Sequence, residues 1–113
     1  MVQVRTMTQP LLPGLLDMLI LKSLSVEDMH GYAIAQHLHK LSHDVIRVEE
    51  GSLYPALQRM RQKGWIKAEW RQTANNQRAR FYSLTIAGRK QLGDQESGFA
   101  ELMVSVRRVM RQA

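Results

Sequence analysis

The residues best equipped for chemistry sit together in "EEGSLYPALQRMRQKGWI", Glu49 to Ile66. Tyr54, Gln58, Arg59, Arg61 and Lys63 supply a phenol, an amide and three cations, and no acid lies between Gly51 and Lys67. A solvated surface ordinarily mixes both signs of charge, so this stretch suits a polyanion. Arginine and lysine would meet phosphate, and glutamine would reach base edges. A second set of donors, Arg71, Arg78 and Arg80, flanks the turn-like "QTANNQRA".

Other reactive residues are less well assembled. His39 and His43 have the four-residue spacing of a helical ligand pair, with His30 and His37 nearby. No cysteine and no acid cluster beyond Asp44 completes a coordination shell, so a metal-responsive sensor is a rival reading only. Glu49 and Glu50 are adjacent and diverge, which suits the positive end of a helix better than acid–base catalysis. Ser52 follows a glycine, yet "EEGSLYP" lacks the G-x-S-x-G elbow, and there is no phosphate-binding loop. Neither an enzyme nor a bound cofactor is expected.

Composition narrows the class further. A chain of 113 residues, 44% hydrophobic and 23% charged, can build one modest core plus an appended element. The net charge of +6 and pI near 10.2 favour nucleic acid or an anionic surface. The absence of cysteine fits a reducing cytoplasm. "MVQVRTMTQP" carries no signal-like apolar run, and "GLLDMLIL" is interrupted by Asp17 and too short for a bilayer. A soluble cytoplasmic protein with no membrane partner is expected.

The elements that position the donors follow from periodicity. Residues 1–10 read as a flexible arm, and "LLPGLLDMLILKSLSV" as a helix apolar on most sides. Ser25 to Gly31 reads as a polar connection, "GYAIAQHLHKLS" as a second helix and "HDVIRVEEG" as an extended connector. The third helix is expected to start with Ser52 as N-cap, which places Pro55 in the first turn. Leu53, Ala56, Leu57 and Met60 then form its core face, Tyr54, Pro55, Gln58 and Gln62 lie opposite, and Gly64 ends it. "WIKAEWR" and "RARFYSLT" read as strands, and Thr85 as the cap of a last helix. That helix carries a stripe of Phe99, Leu102, Met103, Val106, Val109 and Met110, although Gly88, Gly93 and Gly98 weaken its continuity. Three helices, a basic hairpin and a terminal helix make a mainly helical α+β winged helix-turn-helix. The third helix is its recognition helix and the hairpin its wing.

"EEGSLYPALQRMRQKGWI" and "NNQRARFYSLTIAGRKQL", preceded by "LLPGLLDMLILKSLS" and "HGYAIAQHL", closely resemble the PadR family of bacterial transcription regulators. The resemblance covers Leu11 to about Leu92, and "LDMLILKSLS" with "VEEGSLYPAL" looks most like the subgroup abundant in acidobacterial genomes. It implies a homodimeric repressor of operator DNA, with residues 11–92 as the DNA-binding domain and 93–113 as a dimerisation helix. Ser52, Tyr54, Gln58, Arg59, Arg61 and Lys63 would lie on the recognition element, and Arg78 and Arg80 on the wing. Dimerisation would draw on Leu15 and Leu19 of the first helix and on Phe99, Leu102, Val106, Val109 and Met110 of the last. Some members stack a small aromatic effector on a tryptophan; the equivalent here is Phe99, which keeps an aromatic surface and loses the indole donor. A winged-helix module for protein interaction, without DNA contact, is the other rival.

Overall fold

The computed structural model describes residues 14–112, so the arm expected over 1–10 lies outside the described residues. Gly14, at φ 87°, leads into α1 (Leu15–Val26), and α2 (Gly31–Leu41) and α3 (Glu50–Gln62) follow. The hydrophobic faces of these helices meet in one core. Ile20 and Leu21 from α1, Ile34 from α2, and Leu53, Leu57 and Met60 from α3 are essentially inaccessible. The periodicity predicted for α3 therefore holds: Leu53, Ala56, Leu57 and Met60 are buried, while Tyr54, Pro55, Gln58 and Gln62 are exposed.

The sheet closes one side of this core. Its order is β1 (Met29–His30), β3 (Arg78–Leu84), β2 (Ile66–Gln72), all antiparallel. The segment Ser25 to Gly31, expected to be a polar connection, thus contains a strand, with Met29 opposite Tyr82 and His30 opposite Phe81. Two residues are too few to show a period of two, and only the partner strand reveals them. His30 also caps α2: its Nδ1 accepts the Ala33 N–H at 3.2 Å, and its ring meets Phe81 edge-on with centroids 5.3 Å apart.

Helix α3 begins earlier than its serine suggests. Glu49 is the N-cap, and its carbonyl accepts the N–H groups of Ser52 (3.0 Å) and Leu53 (2.9 Å). Ser52 therefore sits within the first turn and Pro55 beyond it, inside the helix. A proline there deprives the Gly51 carbonyl of its helical donor. Gly51 and Pro55 are both exposed, so water can replace that donor and the helix continues. Glu49 and Glu50 do stand at the positive end of the helix, as their charge predicts.

Two further devices fix the frame. Asp17 of α1 is 6% exposed, and the Arg59 guanidinium of α3 reaches its Oδ1 at 2.5 Å. At the other end, Thr85 caps α4 (Ile86–Met110): its Oγ1 accepts the Gly88 N–H at 3.0 Å and donates toward the Gly64 and Trp65 carbonyls. Gly88 is buried so tightly that a Cβ would lie 1.9 Å from the Trp65 carbonyl oxygen. Helix α4 runs unbroken for 25 residues, through all three of its glycines. Gly93 and Gly98 face open space and lack only propensity, which neighbouring turns offset.

Gly88→Ala should cost about 2 kcal/mol or more, because backbone must shift to admit the methyl group. Denaturant unfolding should show the midpoint falling at unchanged slope. Arg59→Ala should cost about 2 kcal/mol by stranding the Asp17 carboxylate, less than for a fully buried pair because Arg59 is half exposed. Arg59→Ala together with Asp17→Leu should recover part of that loss, read from the same unfolding curves.

Candidate nucleic-acid interface

The exposed face of α3 carries Tyr54, Gln58 and Arg61, and Arg61 Nη2 donates to Gln58 Oε1 at 3.1 Å. Tyr54 lies against the first residue of α2, where a Cβ on Gly31 would come within 2.8 Å of its hydroxyl oxygen. A side chain at Gly31 would therefore displace the Tyr54 ring from this seat. Ser52 and Arg59, two turns apart, share a flank of α3 rather than this face. Arg59, expected to contact DNA, instead spends its charge on Asp17. Lys63 falls just past the helix, and its ammonium sits 4.8 Å from the centre of the Trp65 ring system.

The hairpin of β2 and β3 turns at Thr73–Gln77, with Asn76 in the left-handed region its residue type tolerates (φ 61°). Its three arginines have separate environments. Arg71 donates to Asp28 at 3.0 Å and to Glu69, and stacks over Phe81. The hydrogen bond to Glu69, then that to Asp28, holds its guanidinium above its ordinary value, and the pair of contacts braces the hairpin near its turn. Arg78 is exposed and lies over the Trp70 ring at 5.5 Å. Arg80 faces Trp70 in the strand register and is half-buried.

Between α2, α3 and the hairpin runs a groove of about 790 Å³, lined among others by Tyr32, Gln36, Tyr54, Trp70, Arg78 and Arg80. Sequence reasoning missed Tyr32, Gln36 and Trp70. The first two are four residues apart on the exposed side of α2, and Gln36 Nε2 donates to the Tyr32 hydroxyl at 2.9 Å. That spacing is the signal that could have found them. An α-helix fits the major groove of B-DNA, and a neighbouring hairpin with arginines fits the flanking phosphates.

The expected dimerisation residues divide. Leu15, Phe99 and Leu102 line one cleft of about 250 Å³ between α1 and α4, with Met18, Gln95 and Met103. Leu19 lies elsewhere: it packs against the core and lines a separate cleft with Val26, Leu41 and Ile46. A helix apolar on most sides sends successive leucines to different neighbours. Val106, Val109 and Met110 stay 42%, 60% and 76% exposed along the rest of α4. The His39–His43 helical pair does not form, because α2 ends at Leu41 and His43 adopts φ 54°. His39 lies 3.6 Å from Asp44 instead, and among the described residues no group of three or more His, Asp or Glu gathers to hold a metal ion. Among those residues, too, no helix is long and apolar enough to cross a membrane.

Comparison with known proteins agrees with this geometry. The PadR-like transcriptional regulator of Bacillus cereus ATCC 14579 superposes with a TM-score of 0.77 at 26% identity, over 88% of this chain and 95% of that one. A PadR family regulator from Clostridium difficile R20291 gives 0.74 at 27% identity, over 86% and 99%. The smu.1704 protein of Streptococcus mutans UA159 gives 0.80 at 26% identity, over 92% and 93%. An uncharacterized protein of Lysinibacillus sphaericus is 27% identical over 89 residues, 79% of this chain and 82% of its own length. The model of the transcriptional regulator PadR-like family matches residues 20–94. With its winged-helix architecture and its donor-bearing third helix, the chain belongs to the PadR-like family of transcriptional regulators, which bind DNA and are not enzymes.

Proposed function

We propose that this regulator is a cytoplasmic repressor that binds palindromic operator DNA as a homodimer. The observation that carries the reading is the outward face of α3, where Tyr54, Gln58 and Arg61 follow Glu50 of the first turn with no further acid, beside a groove with two arginines. Gln58, on the exposed face opposite Leu57, reads a base edge, since glutamine can pair bidentately with adenine. Tyr54 and Arg61 flank it, Ser52 and Lys63 lie at the two ends of the helix, and Arg78 and Arg80 grip the backbone from the wing. "LDMLILKSLS" and "VEEGSLYPAL" support the acidobacterial-type subgroup.

Dimerisation follows from what the protomer leaves uncovered. Phe99, Leu102, Val106, Val109 and Met110 form an apolar strip on a helix that only Gly88 and Leu92 anchor in the core. A second copy related by a two-fold axis would cover that strip together with Leu15. The cleft at Phe99 is the candidate seat for a small aromatic effector. The Gln95 Oε1 there is buried and unpartnered, an acceptor suited to an effector's donor.

Light scattering at micromolar concentration should report a dimer, and a chain ending near Leu92 should dissociate or aggregate. A stable dimer without α4 would remove the helix from this role. Operator footprints should show half-sites about 34–36 Å apart, and repression of a reporter should depend on both. Gln58→Ala should relax preference at one base pair per half-site, a loss of about 1–3 kcal/mol of discrimination, with the salt slope nearly unchanged. Arg78→Ala should weaken all sequences alike and flatten the salt slope by roughly one unit. A library of mutated operators measured at several salt concentrations checks both, and the reverse pattern would exchange the two roles.

A further inference from the structure

Arg80 is the one arginine of the hairpin whose charge the protein leaves unanswered. Arg71 is held by Asp28 and Glu69, and Arg78 lies on Trp70 in the open. The Arg80 Nε is shielded from solvent and has no hydrogen-bond partner among the described residues. Leaving a charged donor without water and without an acceptor is costly, a cost that an anion in the groove, held by the rest of the guanidinium, would offset. The groove that Arg80 lines contains no aspartate or glutamate, in contrast to the neighbouring groove beside Glu27 and Asp28. An anion entering it meets no opposing charge.

The hydroxyls lining the same groove include those of Tyr54 and Tyr82. The Tyr54 hydroxyl lies beside Gly31, the first residue of α2. Tyr82 is 7% exposed on β3, and the charges of Arg80 and Arg61 and the Tyr54 phenol all act on its hydroxyl. Burial, first among these influences, holds that phenol above its ordinary value of 10.0, so it stays an O–H donor across the physiological range. A guanidinium with two phenols matches the tetrahedral oxygens of a phosphate, which arginine binds through its planar fork.

We propose that Arg80, Tyr82 and Tyr54 form a single anion site that seats one phosphate group, supplied in the DNA complex by one backbone phosphate of each half-site. This deepens the DNA-binding reading and rests on it for the source of the phosphate, though not for the chemistry of the site. It gives Tyr82, otherwise a core residue, a binding role. It also separates Arg80, which fixes one phosphate in register, from Arg78, which adds diffuse attraction.

The test has two arms. In the first, the full chain with nitrogen-labelled arginines is titrated with inorganic phosphate alone. The Arg80 Nε–H resonance should move saturably and that of Arg78 should not, while Tyr82→Phe should weaken the response severalfold. In the second, a duplex that this protein selects from random sequence carries neutral methylphosphonate at one position at a time. Affinity should fall roughly tenfold at one position per half-site, and that position-specific loss should vanish in Arg80→Gln. Arg80→Lys, which keeps the charge but not the fork, should resemble Arg80→Gln in the position-specific effect. Thermal melting of each variant monitors folding, and Tyr82→Phe retains the buried ring. A duplex that binds with its losses spread evenly over many phosphates, and an Arg80 resonance unmoved by either probe, would overturn the site while leaving DNA binding intact. A saturable response to inorganic phosphate with no duplex selected would uphold the site and overturn the DNA-binding reading.

Discussion

The contact between Asp17 and Arg59 links the two halves of this protein's work. Asp17 is a carboxylate surrounded by core on α1, and without a cation its desolvation would go uncompensated. Arg59 meets it from α3 at a sequence separation of 42 residues. The apolar faces of the two helices could slide or roll against each other with modest loss, because leucine and isoleucine contacts are not directional. A charge-assisted hydrogen bond is directional, so it selects one roll of α3 about its axis. That roll decides whether Gln58 or its neighbours face outward. The helix expected to pair with a second copy is thereby also the helix that aims the recognition surface.

Much of this was legible in the chain. The three- and four-residue spacing of Leu53, Ala56, Leu57 and Met60 identified the buried side of α3, and Gly64 and Thr85 marked where elements stop and start. These signals are local: a period, a left-handed turn, a capping hydroxyl. What escaped depends on partners far along the chain. β1 exists only because Tyr82 and Phe81 offer it an edge. Arg59 looked like its basic neighbours until Asp17 claimed it, and Leu19 looked like Leu15 until the helix turned it toward α2. Ser52 was misplaced for another reason. Serine is a strong cap by preference, but the Glu49 carbonyl accepts two N–H groups and starts the helix first.

The hairpin makes the same point about charge. Net charge treats Arg71, Arg78 and Arg80 as equivalent, yet carboxylates, an indole and a groove without acids give them separate surroundings. A basic surface is therefore a poor guide to which cations remain available. The surrounding acids and aromatic faces decide that.

The root of α4 has a mechanical consequence. Thr85 and Gly88 grip the carbonyls at the α3–β2 turn, so the helix is clamped at its root, runs beside α1 as far as Met103, and projects beyond it as a cantilever. Its 25 residues span about 37 Å. A swivel of about 5° at the clamp would sweep the far end through about 3 Å, comparable to the rise per base pair of DNA. In a two-fold pair, the pitch of that cantilever would set the separation of the two reading heads. A ligand wedged near Phe99, partway along the beam, would need only a small displacement to put them out of step with the double helix.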